Sequence, residues 1–257
     1  MKKLFIALVA IASFASCKKE TVNTPTVPQE PVFAKNLKTS SYVYDGGAPE
    51  IENFSFDAQG RITSYKQEYP GTVRQQTFDY ATAGKIFSTY TNNGVLKFSH
   101  EGTVNEKGYI TAMTTKRADG SLYLNYKYIY DVNGYIIKKE WTNAAGITDH
   151  FEMKVENGNV TEYKLFYNGI LSSTDKFTYD LTKYNSIKSA FGSQWSGTSF
   201  GKSTKNLFTN LTETNASGAI TWNVNYSYQL NAAGYVEKSS FTNLITSKSG
   251  ENTYTFQ

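Results

Sequence analysis

Side chains that commonly perform catalysis or bind metal ions are scarce in this chain. His100 and His150 are its two histidines, and Cys17 is its single cysteine. A zinc centre needs three or four such ligands at close spacing, and a disulfide needs a second cysteine. The sequence therefore predicts no metal site, no cofactor and no intramolecular disulfide, and both histidines are interpreted as ordinary strand residues.

One short segment matches two catalytic patterns. Residues 197–201 read Gly-Thr-Ser-Phe-Gly, the pattern of a serine nucleophile elbow, and residues 201–203 read like the end of a phosphate-binding loop. A nucleophile elbow requires a histidine later in the chain, whereas both histidines precede Ser199. A phosphate-binding loop requires a glycine where this chain has Ser196. Both matches are therefore interpreted as coincidental.

Acidic residues in neighbouring predicted hairpins could approach one another, namely Glu140, Asp149, Glu152 and Glu162. Two carboxyl groups about 5–10 Å apart can hydrolyse a glycosidic bond. The same segments carry Lys138, Lys139, Lys154 and Lys164. Lysines opposite acids are also the ordinary charge decoration of a sheet, and this interpretation is favoured. The sequence thus predicts that the chain is not an enzyme.

The N-terminal residues have the three parts of an export signal. Two lysines precede an apolar run at 4–13, which is about half the length that a membrane-spanning helix needs. Residues 14–17 read Phe-Ala-Ser-Cys and resemble the lipobox of bacterial lipoproteins, in which the cysteine is acylated. We predict a signal peptide at 1–16 and a lipid-anchored chain that begins at Cys17. The alternative is an ordinary secretory signal.

Residues 17–36 are predicted to form a tether between the anchor and a single folded domain at 37–257. Three of the five prolines lie in this segment, and proline-rich segments are extended. The formal net charge of +4 includes the two lysines of the signal, so the mature chain is nearly neutral. A chain of this charge without a basic stripe is not predicted to bind nucleic acid.

A repeat of about 25 residues organises the chain from residue 40 onwards. Its marker is a glycine that is followed two residues later by isoleucine or valine, as at Gly60, Gly84, Gly108, Gly134 and Gly158. A second series of turn glycines lies between these markers, so each repeat consists of two strands and two turns. The sequence predicts an all-β fold, an antiparallel meander of about sixteen strands.

A sheet this wide would leave aromatic side chains such as Tyr128 and Phe177 in water unless it curled. We therefore predict a closed or nearly closed barrel, with an open flat sheet as the alternative. Charged residues occur on both faces of several predicted strands, as at Lys138 and Lys139. Because a lysine that faces lipid costs roughly 2–4 kcal/mol near the bilayer midplane, we predict a soluble barrel rather than a transmembrane one.

The turn sequences at 56–62 and 130–136 resemble YD repeats. Further motifs follow in the order Tyr179-Asp180, Lys183, Asn185 and Lys205-Asn206. This arrangement resembles lipoproteins of the Bacteroidota that carry a domain of unknown function described as having a porin-like fold. The resemblance implies that fold and a lipid-anchored position at the outer membrane, either periplasmic or surface-exposed. The resemblance implies no catalytic residue in this chain, because the family has no assigned activity.

The repeat is interrupted at 185–206, where we predict a candidate ligand site. The aromatic and basic residues of this segment are Phe191, Trp195, Phe200, Lys202 and Lys205, and the segment has no acidic residue. Aromatic rings beside two cations could stack on a sugar or hold a carboxylate. The alternative is that the segment caps one end of the sheet, with its aromatic side chains in the core.

These observations predict a non-catalytic envelope lipoprotein that is attached to the membrane by its anchor and binds a glycan, a peptide or a small apolar ligand. The alternative is a structural or assembly-partner lipoprotein without a small-molecule site. A deep aromatic pocket would favour the first interpretation, and a broad exposed apolar patch would favour the second.

Overall fold

The computed structural model describes residues 31–187 and 198–257. Within these residues a 3₁₀ turn at Thr198–Phe200 accompanies the strands, and no helix is long and apolar enough to cross a bilayer. The strands are β1 (Leu37–Tyr44), β2 (Glu50–Phe56), β3 (Ile62–Tyr69), β4 (Thr72–Asp79), β5 (Lys85–Asn92), β6 (Val95–Val104), β7 (Ile110–Arg117), β8 (Leu122–Tyr130), β9 (Ile136–Asn143), β10 (Thr148–Glu156), β11 (Asn159–Tyr167), β12 (Ile170–Tyr184), β13 (Asn206–Asn215), β14 (Ile220–Leu230), β15 (Val236–Asn243) and β16 (Ser249–Phe256).

Backbone hydrogen bonds close the sheet into a barrel. Each strand pairs antiparallel with the strands before and after it, and β1 pairs with β16, where Tyr42 lies opposite Asn252. Closure leaves no unpaired strand edge along which other chains could add. The predictions of sixteen antiparallel strands and a closed barrel are confirmed, and the alternative of an open flat sheet is wrong.

Side-chain hydrogen bonds fix the turns that mark the repeat. Asp57 Oδ1 accepts hydrogen bonds from the backbone amides of Gln59 and Arg61, and Gly60 completes the turn with φ +75°. The same arrangement recurs at Asn231. A left-handed backbone conformation is unfavourable for residues with a Cβ atom, so the periodic glycines are the residues that these turns require.

Tyrosines that precede these turns join neighbouring hairpins. The Tyr130 hydroxyl donates a hydrogen bond at 2.7 Å to the carbonyl oxygen of Ile110, which lies one repeat earlier. Tyr80 and Tyr179 donate equivalent hydrogen bonds to the carbonyl oxygens of Ile62 and Val160. Tyr228, which lies two positions earlier in its repeat, donates one to the carbonyl oxygen of Phe208. These tyrosines therefore have a structural role, because their rings are partly buried while their hydroxyls satisfy backbone acceptors.

Alternation along each strand separates an aromatic interior from a polar exterior. Tyr128 and Phe177 face inward and are only 5% and 7% exposed, as a curled sheet predicts. Outward positions on β12 include Thr174, Lys176 and Thr178. The larger of the buried clusters among residues 31–187 and 198–257 consists of Ile86, Ile110, Met113, Tyr128, Ile136, Phe151, Met153, Val160, Phe177 and Phe200.

The connections alternate between the two ends of the barrel. Turns from odd- to even-numbered strands lie at one end, which we call the hairpin end, and the long β12–β13 connection lies at the other. The backbone amides of Lys202 and Lys205 donate hydrogen bonds to the carbonyl oxygens of Gly134 and Gly158, which lie in two turns at that other end. The described parts of the connection therefore cover what we call the plugged end, in agreement with the capping interpretation.

Candidate luminal binding site

A cavity of about 680 Å³ lies inside the barrel beside β2–β9. Small-molecule sites usually occupy about 300–1,000 Å³. Phe200 forms one part of the wall and belongs to the described residues 198–205 of the β12–β13 connection, which we call the plug. Arg74 and Tyr123 lie within three residues of turns at the hairpin end. The other lining residues are Glu52, Tyr65, Gln67, Gln76, Tyr90, Phe98, His100, Met113, Thr115, Tyr126, Tyr128 and Lys139.

Aromatic rings cover much of the cavity wall. Tyr90 and Phe98 are cross-strand neighbours with ring centroids 6.0 Å apart, and Tyr123 stacks on Phe98 at 4.9 Å. A shift of register between β7 and β8 beside Tyr123 brings its ring to the cavity. Strict alternation places Tyr123 on the outer face, so sequence reasoning missed this residue.

Lys139 places a positive charge inside the barrel. Its cross-strand neighbours on the inner face are Tyr128 and Phe151, both of which are buried. The Lys139 Nζ atom lies 4.9 Å from the ring centroid of Tyr126 and 5.6 Å from that of Tyr128. Burial lowers the pKa of Lys139 to about 8, because the charged form is desolvated.

Acids and lysines form ion pairs on the outer face of β9–β11. These pairs are Lys138–Glu140, Lys138–Glu152 and Lys164–Glu162, with N–O distances of 3.2, 3.6 and 2.8 Å. Asp149 lies on the inner face instead, opposite Trp141. The interpretation of these residues as ordinary charged groups on the sheet surface is supported for the residues that face outward. It is wrong for Lys139, because alternation along β9 places that side chain inside the barrel.

The cavity wall also contains a second cation and a carboxylate. Arg74 Nη1 lies 3.3 Å from Gln67 Oε1, whereas the buried Arg74 Nε has no hydrogen-bond partner among the described residues. The Glu52 carboxylate accepts hydrogen bonds from the hydroxyls of Tyr65 at 2.7 Å and Ser40 at 2.5 Å. The carboxylate that lines the cavity is therefore already engaged by two hydroxyl groups.

The two histidines are strand residues on opposite faces. His100 lines the cavity, where its Nδ1 atom lies 2.8 Å from Thr115 Oγ1, and burial lowers the pKa of His100 to about 4. This imidazole is therefore neutral at neutral pH and adds polarity rather than charge. His150 lies outside and stacks on Phe166 at 4.5 Å. Among the described residues no group of His, Cys, Asp and Glu side chains could hold a metal ion.

A separate polar group lies on the inner face of β11–β13. Asp175 is the cross-strand neighbour of Tyr163 and Glu213, and its buried Oδ1 atom has no hydrogen-bond partner in the described part of the chain. Burial, with a smaller effect of the Glu213 charge, raises the pKa of Asp175 to about 6. The protonated form therefore stabilises the fold fully below the unfolded-state pKa near 4, and this contribution is lost as the pH rises through 6.

Replacing Asp175 by asparagine is expected to raise the melting temperature more at pH 8 than at pH 5. The amide keeps the side-chain shape but removes a charge that is desolvated and repelled above pH 6. Thermal unfolding followed by circular dichroism at both pH values measures the difference. Glu106→Gln, a change in an exposed turn, is the control and should not depend on pH in this way. An equal gain for Asp175→Asn at both pH values would contradict the prediction.

The structure brings one of the five residues predicted for the β12–β13 site into the cavity. Phe200 lines the cavity and is 4% exposed. Lys202 and Lys205 lie at the plugged end with their Nζ atoms 5.7 and 5.8 Å from tyrosine ring centroids, and neither lines the cavity. Phe191 and Trp195 lie outside the described residues.

Comparison with known proteins relates the chain to porin-like structures. A porin-like protein from Bacteroides uniformis is 16% identical with a TM-score of 0.68, and the alignment covers 89% of this chain and 99% of that one. A porin-like protein from Bacteroides vulgatus is 12% identical with a TM-score of 0.59, over 87% and 99%. No family model and no curated protein matches the sequence. At these identities the likeness concerns the fold, and it confirms the porin-like architecture that the sequence resemblance implied.

Proposed function

We propose that this chain is a non-catalytic protein of the cell envelope that binds a small organic molecule inside its barrel. The observation that carries the proposal is the cavity of about 680 Å³, whose described wall combines seven tyrosine and phenylalanine rings with seven polar or charged side chains. In small-molecule sites the apolar surface provides affinity, and a few polar groups fix the orientation of the ligand. A volume of this size suits a compact ligand with a ring or a short chain better than an extended peptide.

The envelope location is proposed from the N-terminal sequence. The export signal at 1–16, acylation at Cys17 and the tether at 17–36 together describe a protein that is held to a membrane by lipid. The description of the two structural neighbours as porin-like supports a position at the outer membrane.

The outer face of the barrel supports a position in water beside that membrane. A transmembrane barrel carries apolar residues outside and polar residues inside, and a lysine facing lipid near the midplane costs roughly 2–4 kcal/mol. This barrel has the opposite arrangement, with Lys138, Glu140 and Lys176 on its outer face. We propose that the porin-like barrel lies in water, binds a ligand in its interior and is attached to the membrane by the lipid anchor.

Binding of N-phenyl-1-naphthylamine, an uncharged fluorescent probe, tests the proposal. The wild-type protein is expected to enhance its fluorescence in a saturable manner, because the rings that line the cavity remove the probe from water. Gln67→Trp places a bulky side chain in the cavity and should weaken binding by about tenfold or more, a loss of at least about 1.4 kcal/mol.

Gln75→Trp is the matched control, since Gln75 lies on the next strand between the inward residues Arg74 and Gln76 and so faces outward. It should leave probe affinity unchanged. Absence of binding to the wild-type protein, or equal loss in both variants, would overturn luminal binding. Circular dichroism of each variant establishes that the barrel is intact.

A partner-binding function is the second candidate, and one observation favours it. Exposed apolar side chains lie in or beside five turns at the hairpin end: Val95, Leu96, Ile147, Tyr167, Ile170, Ile220, Leu244 and Ile245. Clusters of exposed apolar residues often mark contacts with other proteins. A protein that fails to bind the probe would leave this apolar rim as the strongest feature for function.

A further inference from the structure

Two cationic side chains that line the cavity have no carboxylate partner in the described structure. Lys139 and Arg74 form none of the salt bridges between described residues. The geometry points to a ligand that carries an acidic group, such as a carboxylate, sulfonate or phosphate, which would pair with Lys139 and be attracted by Arg74. This inference rests on the proposed luminal binding and specifies the chemistry of the ligand.

The position of Lys139 is costly for the protein in the absence of an anion. Moving an ammonium group out of water is strongly unfavourable unless it is paired or hydrogen-bonded, and aromatic faces compensate only part of this cost. Four rings surround the Lys139 Nζ atom, with centroids between 4.9 and 5.9 Å away. An anionic ligand in the adjacent cavity would supply the missing opposite charge.

The neighbouring acidic groups do not fill this role. Glu52 is the acidic residue that lines the cavity, and its two oxygens accept hydrogen bonds from Tyr65 and Ser40. Glu140, next to Lys139 in sequence, and Glu152 face outward and pair with Lys138. Asp149 faces inward, but it accepts a hydrogen bond from the Asn168 amide at 2.8 Å and does not line the cavity. The positive groups of the cavity thus remain available to a ligand.

Arg74 provides a second, independent indication that the ligand carries an acidic group. Its guanidinium lies 5.0 Å from the centroid of the Tyr69 ring, and its Nε atom is buried without a hydrogen-bond partner among the described residues. A buried donor of this kind normally finds an acceptor in the protein, in water or in a ligand. With neutral His100 in the same wall, the cavity favours negative charge, while its rings suit an apolar body. The expected ligand is a compact amphipathic organic acid.

A matched pair of probes isolates the acidic group. 8-Anilinonaphthalene-1-sulfonate has the same aromatic skeleton as N-phenyl-1-naphthylamine and adds one sulfonate. The wild-type protein is expected to bind the sulfonate at least about tenfold more tightly than the neutral probe, measured by fluorescence titration at low ionic strength. Lys139→Met should weaken sulfonate binding by about tenfold and change the affinity for the neutral probe by less than about twofold.

Lys138→Met is the control, because it removes an adjacent positive charge from the outer face. It should leave the affinities for both probes unchanged. Arg74→Gln is a second variant that should weaken sulfonate binding while the neutral probe still binds. Because Lys139→Met removes a desolvated charge, the variant should melt at least as high as the wild type, which verifies folding.

The outcomes separate this inference from the proposed function. Equal affinity of the wild type for both probes, or equal effects of Lys138→Met and Lys139→Met on the sulfonate, would overturn the acidic-ligand inference and leave luminal binding intact. Failure of the wild type to bind either probe would overturn both.

Discussion

Replacing Phe200 by alanine is expected to lower the free energy of unfolding by about 3–5 kcal/mol, the usual cost of removing a buried phenylalanine ring. Phe200 is 4% exposed and joins the plug to the main buried cluster, where its ring lies 5.2 Å from that of Tyr128. Its loss would extend the cavity toward the plugged end. Urea unfolding followed by circular dichroism measures the change.

Phe87→Ala is the control for this substitution. Phe87 lies on the outer face of β5 and is 37% exposed, so its removal should cost less than about 1 kcal/mol. A loss at Phe200 no larger than the loss at Phe87 would show that the plug does not stabilise the barrel.

Gly201→Ala is expected to destabilise the protein more than the same change at another left-handed glycine. Gly201 has φ +85°, and a Cβ atom there would lie 2.5 Å from the Gly134 carbonyl oxygen and 2.8 Å from the Tyr130 ring. The left-handed backbone costs roughly 1–2 kcal/mol for a residue with a Cβ atom. The steric conflict should add about 1–3 kcal/mol, because backbone atoms must move apart.

Gly218→Ala isolates the steric part of this effect. Gly218 has the same φ of +85°, but a Cβ atom there would meet nothing within 4 Å. Thermal unfolding of both variants should therefore show a smaller loss for Gly218→Ala. Equal losses would mean that the plug does not contact the β8–β9 turn closely.

The fold was predictable from sequence because each repeat contains the residues that determine its own turns and the inward face of its strands. Gly60 and its equivalents occupy left-handed positions that exclude most other residues, and Asp57 or asparagine fixes the same turns through backbone amides. Aromatic residues such as Tyr128 alternate with polar ones, which assigns them to one face. Closure of the barrel was also predictable, because a sheet of sixteen strands buries those rings only by curling.

The candidate site was less predictable, because it depends on contacts between distant repeats. Alternation along β9 places Lys139 on the aromatic face, and this signal could have identified it as an inward residue. The sequence alone does not show that Arg74, five strands away, lines the same cavity. Tyr123 was missed because a register shift between β7 and β8 interrupts strict alternation. Phe200 was identified from the interruption of the repeat, although its place in the core follows only from the three-dimensional structure.

A crystal structure of the protein with a brominated N-phenyl-1-naphthylamine would test luminal binding most directly. The account predicts an anomalous bromine peak inside the barrel, among the rings of Phe98, Tyr126 and Tyr128 and beside Lys139. Peaks confined to the outer face of the barrel or to the apolar rim at the hairpin end, with the cavity free of probe, would contradict it.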